Sequence, residues 1–210
     1  MKLRVTYMAL SMAILFVLPL LLSVAFEHID KENTIKLGKK DIIWFIVVSI
    51  GLSIGFEIVA HMNLVTLTLT SFIMAYLIFM SYTDQKTKQV YSAVSLVVFL
   101  VAIVICMLQI MNRGMYSIFN VGAMICLNVL LVVLGQFGLL GMGDVDIYGV
   151  IGLFYLQTRP DAFFSIILNL LLANILFGIS AIARKARHKD KLPFTLYIAI
   201  STGIMCVIGI

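Results

Sequence analysis

Only ten acidic residues occur in this 210-residue chain, and two of them stand at the ends of long apolar segments. Asp84 lies in SYTDQKTKQ, and Asp144 lies in GLLGMGDVDIYG. An acid at a lipid boundary is costly to keep, so each is a candidate for function. Gly138, Gly141 and Gly143 crowd around Asp144. Glycine allows a tight turn and close backbone approach, so an extended peptide could lie beside the acid, with Gly141 and Gly143 as its contact points.

Two carboxyls suffice to hydrolyse an amide. One, ionised, takes a proton from water; the other, protonated, donates to the scissile carbonyl. Two carboxyls within a few ångström do not both ionise comfortably, so they share one proton and titrate as a pair. The sequence leaves open which aspartate is the base. It also leaves open whether Asp146, two residues after Asp144, is a solvated loop charge or a third acid perturbing the pair. Glu57 and His61, four residues apart, read as a structural pair near the outer surface. Tyr82 is a candidate donor to Asp84. Cys106, Cys126 and Cys206 lie inside apolar runs and read as small buried hydrophobes. No His, Cys or Asp cluster has ligand spacing, and the chemistry asks for neither metal nor cofactor.

The elements that must position these acids are membrane helices. The chain is 62% hydrophobic and 12% charged, with a mean hydropathy of +1.12. A soluble domain of this size cannot hide that much apolar surface. Val90–Asn112 and Met115–Gly143 carry no charge, and each exceeds the roughly 20 residues that cross a bilayer as a helix. The expected fold is all-α, a polytopic bundle of about eight spans near 6–26, 42–60, 64–80, 90–111, 115–135, 144–158, 161–183 and 193–210. The third begins LVTLTLTSF, an alternation that alone suggests a strand, but in lipid a helix satisfies its own backbone. No repeat or linker divides the chain, so residues 1–210 read as one membrane domain: a first span over 1–26, a short cytoplasmic loop over 27–41 and a core over 42–210.

Basic residues set the orientation. Loops 27–41, 81–89, 136–146 and 184–192 hold 11 of the 15 Lys and Arg residues, so that side is cytoplasmic. Both acids then face the cytoplasm, and both termini lie outside. The start, MKLR with an apolar run to Ser23-Val24-Ala25, also resembles a signal peptide, whose removal would leave seven spans. The net charge of +5 sits in short clusters between apolar runs, which suits the lipid surface rather than nucleic acid.

Three segments together resemble the type IV prepilin peptidases and the related preflagellin peptidases, a family of GxGD intramembrane aspartyl proteases. They are GMGDV at 141–145, SYTDQKTKQVYS at 81–92 and KLPFTLYIAISTG at 191–203, and the resemblance covers about residues 42–210. It implies an endopeptidase of the plasma or inner membrane that removes a short basic leader from prepilin-like precursors at the cytoplasmic face. It carries Asp84 and Asp144 over as the catalytic pair, with Pro193 bordering the site. Three departures stand out. Gln89-Val90-Tyr91 replaces the family's Ile-Pro-Asn or Ile-Pro-Asp, Asp146 stands where Lys is common, and the 27–41 loop lacks the CxxC pairs of members that also methylate their product. Methyltransferase activity is therefore not expected. The competing readings are a small transporter or channel, a protease of the presenilin or signal-peptide-peptidase type, and a non-catalytic scaffold on the same fold. A transporter would place charged groups near the midplane in paired halves. Here the acids gather at one face.

Overall fold

The computed structural model describes residues 2–29, 36–57, 64–88, 90–113, 118–138, 140–183 and 193–208. They form eight helices, with no strand among the described residues. These are α1 (Lys2–Ile29), α2 (Lys39–Gly55), α3 (Leu64–Thr87), α4 (Ser92–Arg113), α5 (Ile118–Gln136), α6 (Met142–Thr158), α7 (Ala162–Ala183) and α8 (Thr195–Ile208). Val5–His28, Leu64–Thr87 and Ala162–Ala183 are long and apolar enough to cross a bilayer; α4, α5 and α8 contain shorter apolar stretches. The chain is a helical membrane bundle, as its uncharged runs require.

The Thr-rich segment is helical, as backbone satisfaction in lipid requires, and its hydroxyls return to its own backbone. Thr68 Oγ1 donates to Leu64 O at 2.8 Å, and Ser71 Oγ to Leu67 O at 2.8 Å. Such back-bonding hides a hydroxyl from lipid without an outside partner. The side chains left outward on α4, such as Leu96, Val97, Leu100 and Val104, are apolar and more than half exposed, as lipid-facing positions demand. Cys106 and Cys206 are buried as expected, but Cys126 is exposed on α5 beside Ile125 and Val129. Its thiol lies on the apolar outer face rather than in the core.

Packing divides the chain into two units, residues 1–88 with 172–210, and residues 89–171, the boundary falling inside α7. In the first, α3 packs on α1 and α8, and α1 on α2. From Ile73 to Asp84 every α3 residue is buried. Phe26 meets Phe79 at 5.3 Å between ring centroids, and Phe45 meets Tyr82 edge-on at 5.2 Å. In the second unit α6 packs on α4 and α5. Its glycines admit the neighbours: a Cβ on Gly152 would lie 2.4 Å from Met124 Cε. Small residues of this kind let membrane helices approach where no hydrophobic drive brings them together. Buried Asn169 donates through Nδ2 to the Tyr155 hydroxyl at 2.8 Å, tying α7 to α6.

Candidate active site

Asp84 belongs to the first unit and stands in the last turn of α3, not in a loop after residue 80. The span was expected to end where apolar residues end. Gln85, Lys86 and Thr87 are compatible with a helix, however, and Thr87 Oγ1 bonds back to Thr83 O at 2.9 Å. The helix stops only at Lys88, which takes a left-handed conformation with φ of 57° and donates its N–H to Asp84 O at 3.0 Å.

The Asp84 side chain is buried, with a relative exposure of 8%. Its Oδ2 accepts the Thr195 backbone N–H at 3.2 Å, and the Thr195 hydroxyl hydrogen-bonds the same carboxyl. Thr195 is the first residue of α8, where a helix has N–H groups without partners and a partial positive charge. Asp84 thus caps α8 from across the unit, and the Lys88 ammonium adds a favourable charge nearby. Thr195 was not anticipated. Its signal was faint: Pro193 marking a helix start with a hydroxyl residue two places on. Pro193 itself is buried just ahead of that start.

Tyr82 does not serve Asp84. Its hydroxyl points to Lys36 O at 3.3 Å and Asp41 Oδ2 at 3.4 Å. Asp41, expected in a loop, is in the first turn of α2, where it accepts the Gly38 N–H at 2.9 Å and pairs with Lys86 Nζ at 3.1 Å. Tyr82 therefore ties the end of α3 to the start of α2. Glu57 is half-buried just past the end of α2; His61, its expected partner, lies outside the described residues, as does the basic run 184–191.

Asp144 belongs to the second unit, in the first turn of α6. The glycine-rich segment ends at Gly141, the N-cap residue, whose carbonyl accepts the N–H of Asp144 at 3.0 Å and of Val145 at 3.2 Å. A carboxylate in a first turn is favoured by the helix dipole. The two motif glycines differ in purpose. A Cβ on Gly141 would lie 2.8 Å from Asp144 Oδ2, so the carboxyl folds over bare backbone. A Cβ on Gly143 would lie 2.4 Å from Val90 Cβ, so Gly143 is a packing contact with the chain entering α4. Gly138, with φ of 72°, makes the turn before the motif. One turn along α6 from Asp144, the Tyr148 hydroxyl is fully buried without a hydrogen-bond partner among the described residues.

Asp146 falls within the span expected over 144–158. It lies on α6 two residues from Asp144, roughly 200° around the helix, and so faces another way. Among the described residues no three His, Cys, Asp or Glu side chains gather as a metal site would require.

The described helices form a membrane bundle, with Asp84 on α3 in the first unit and Asp144 and Asp146 on α6 in the second. The family model of the type IV leader peptidases matches residues 71–183, more than half of the chain and a stretch that contains Asp84 and Asp144, and the chain belongs to that family. Neither curated proteins nor solved structures give a match.

Proposed function

We propose that the chain is an aspartyl endopeptidase that removes the short basic leader of prepilin-like precursors at the cytoplasmic face of the plasma or inner membrane. Asp84 and Asp144 are its catalytic pair, and the two packing units act as one membrane domain. The observation that carries this reading is the family match across both acids, joined to the hydrogen bonds that hold the Asp84 carboxyl in place. Each acid is fixed at a helix start, Asp84 against α8 and Asp144 within α6.

In this mechanism the ionised member of the pair takes a proton from water as the oxygen attacks the scissile carbonyl. The protonated member donates to the carbonyl oxygen, and collapse of the tetrahedral species delivers a proton to the leaving amine. Either aspartate can begin as the base, since the pair holds one proton between them. Thr195 fixes the Asp84 carboxyl, and Gly141 leaves the Asp144 carboxyl unobstructed on one side.

The test is cleavage of a co-expressed prepilin-like precursor, followed by mass. Asp84→Asn and Asp144→Asn should each abolish the shift while the protein still inserts. Asparagine keeps an oxygen to accept the Thr195 N–H, so the α8 cap survives the first change. Full cleavage by either variant sinks the assignment. For orientation, single cysteines at Lys86 and Arg159 should react with an impermeant reagent from opposite faces, Lys86 from the cytoplasm. Labelling of both from one side overturns the topology.

A further inference from the structure

The second unit contains a groove that the acid pair does not use. It lies where the start of α4, the end of α5 and the start of α6 come together, with a volume of about 530 Å³. That is within the ~300–1,000 Å³ range of small-ligand pockets. Asp146 projects into it from α6, alongside Ser92 and Ser95 of α4 and Asn128 of α5.

The one charged side chain among the groove's described lining residues is an acid. Asp146 is half-buried and makes no hydrogen bond or ion pair among the described residues. Asn128 gives one Nδ2 N–H to Met124 O at 2.8 Å, and its Oδ1 lies beside Gly149 as an acceptor. Among the described residues no basic side chain lines the groove, although the chain carries 15 Lys and Arg. Phe99 and Leu96 supply apolar wall. A carboxylate and an amide oxygen with an aromatic face beside them match an ammonium or guanidinium on an alkyl stem: the acceptors take its protons, the ring its charge, the wall its methylenes.

We propose that this groove is a subsite for one lysine or arginine side chain of the peptide that the enzyme cuts, with Asp146 as its counter-ion. The proposal rests on the peptidase reading and deepens it. Asp144 and Asp146 share the first turns of α6 but face different ways, so a peptide crossing that end of the helix presents one residue to the reacting acid and another to the groove.

The experiment takes purified protein in lipid nanodiscs and a synthetic leader-bearing peptide whose basic residues are replaced singly by glutamine. With wild type, replacement at one position should raise KM about three- to ten-fold with kcat held, the signature of lost uniform binding across a partly exposed charge pair. Asp146→Asn should raise KM for the parent peptide by a similar factor, and the two losses should not add. Asp146→Lys should prefer a glutamate at that same position. Equal KM ratios for wild type and Asp146→Asn at every position overturn the subsite. Peptide binding is measured separately, by fluorescence anisotropy, on protein carrying Asp84→Asn and Asp144→Asn. Charge-dependent binding without cleavage by wild type overturns the peptidase reading and keeps the subsite. Cleavage with charge-indifferent binding and KM does the reverse, and the absence of both overturns both. If Asp146→Asn alters retention of phosphatidylethanolamine over phosphatidylglycerol and leaves peptide KM untouched, the occupant is a lipid amine and the proposal fails.

Discussion

Gly141→Ala and Gly143→Ala alter the same motif by one methyl group each, and the structure predicts opposite phenotypes. At Gly141 the backbone has φ of −67° and ψ of 135°, which any residue adopts, so no backbone strain follows. The new Cβ meets one obstacle, Asp144 Oδ2 at 2.8 Å, the far end of a side chain that can turn. Displacing a side chain from its rotamer costs about 0.5–1.5 kcal/mol, so the fold survives while the carboxyl leaves its place. At Gly143 the new Cβ meets Val90 Cβ at 2.4 Å and both Val90 methyls at 3.0 Å. A Cβ is fixed to its backbone and no rotation moves it. The segment entering α4 must shift bodily, at roughly 1–3 kcal/mol for overpacking, which outweighs the gain of up to ~1 kcal/mol from replacing glycine in a helix.

The assay is thermal unfolding in nanodiscs beside cleavage of a precursor. Gly141→Ala should unfold close to wild type and lose most of its kcat. Gly143→Ala should unfold at a clearly lower temperature. The second partner distinguishes this account from a general intolerance of the motif. Val90→Gly removes the clashing Cβ and should restore the stability of Gly143→Ala, whereas Val90→Ala keeps that atom and should restore little. Equal stability of the two single variants, or equal rescue by Val90→Ala and Val90→Gly, refutes the reasoning.

Three further outcomes follow from the same geometry. Thr195→Val keeps the backbone N–H to Asp84 and deletes the hydroxyl; a hydrogen bond to a charged group contributes about 1.5–3 kcal/mol, so kcat should fall at least ten-fold while Thr195→Ser retains most of it, checked by steady-state cleavage. Tyr148→Phe removes a buried hydroxyl that has no partner among the described residues, so stability should hold or rise; a loss of kcat in the same variant would mean that the hydroxyl finds its partner only with substrate bound. The rate should be bell-shaped in pH, falling on the acid side as the base gains its proton and on the alkaline side as the acid loses its own. An alkaline plateau in kcat/KM would remove the need for a protonated carboxyl.

The helices were legible because an uncharged run longer than a bilayer is wide admits one structure. What hydropathy misread was where polar residues remain helical. The apolar stretch of α3 ends near Met80, yet the helix runs to Thr87, because lysine and glutamine continue a helix about as readily as leucine and Thr87 satisfies its hydroxyl on Thr83 O. The sixth span was expected over 144–158, and α6 begins two residues earlier, at Met142. Gly141 is its N-cap, so Asp144 and Asp146 are helical and face apart. Tyr82 was placed beside Asp84 by nearness in sequence, but two residues along a helix turn a side chain to the other face, where Asp41 waits.

Thr195 was out of reach for a different reason. Its role depends on a backbone donor 111 residues from Asp84, and only the packing of α8 on α3 brings the two together. That packing also resolves an electrostatic conflict. Asp84 sits at the C-terminal end of α3, where the helix dipole opposes an anion, and the start of α8 supplies the positive end that its own helix does not. Asp144 needs no such partner, since it occupies the first turn of α6. Two carboxyls on opposite ends of their own helices thus meet the same environment, a helix N-terminus, by different routes. Substitutions at the start of α8 should therefore disturb Asp84 and spare Asp144, the converse of Gly141→Ala, which displaces the Asp144 carboxyl.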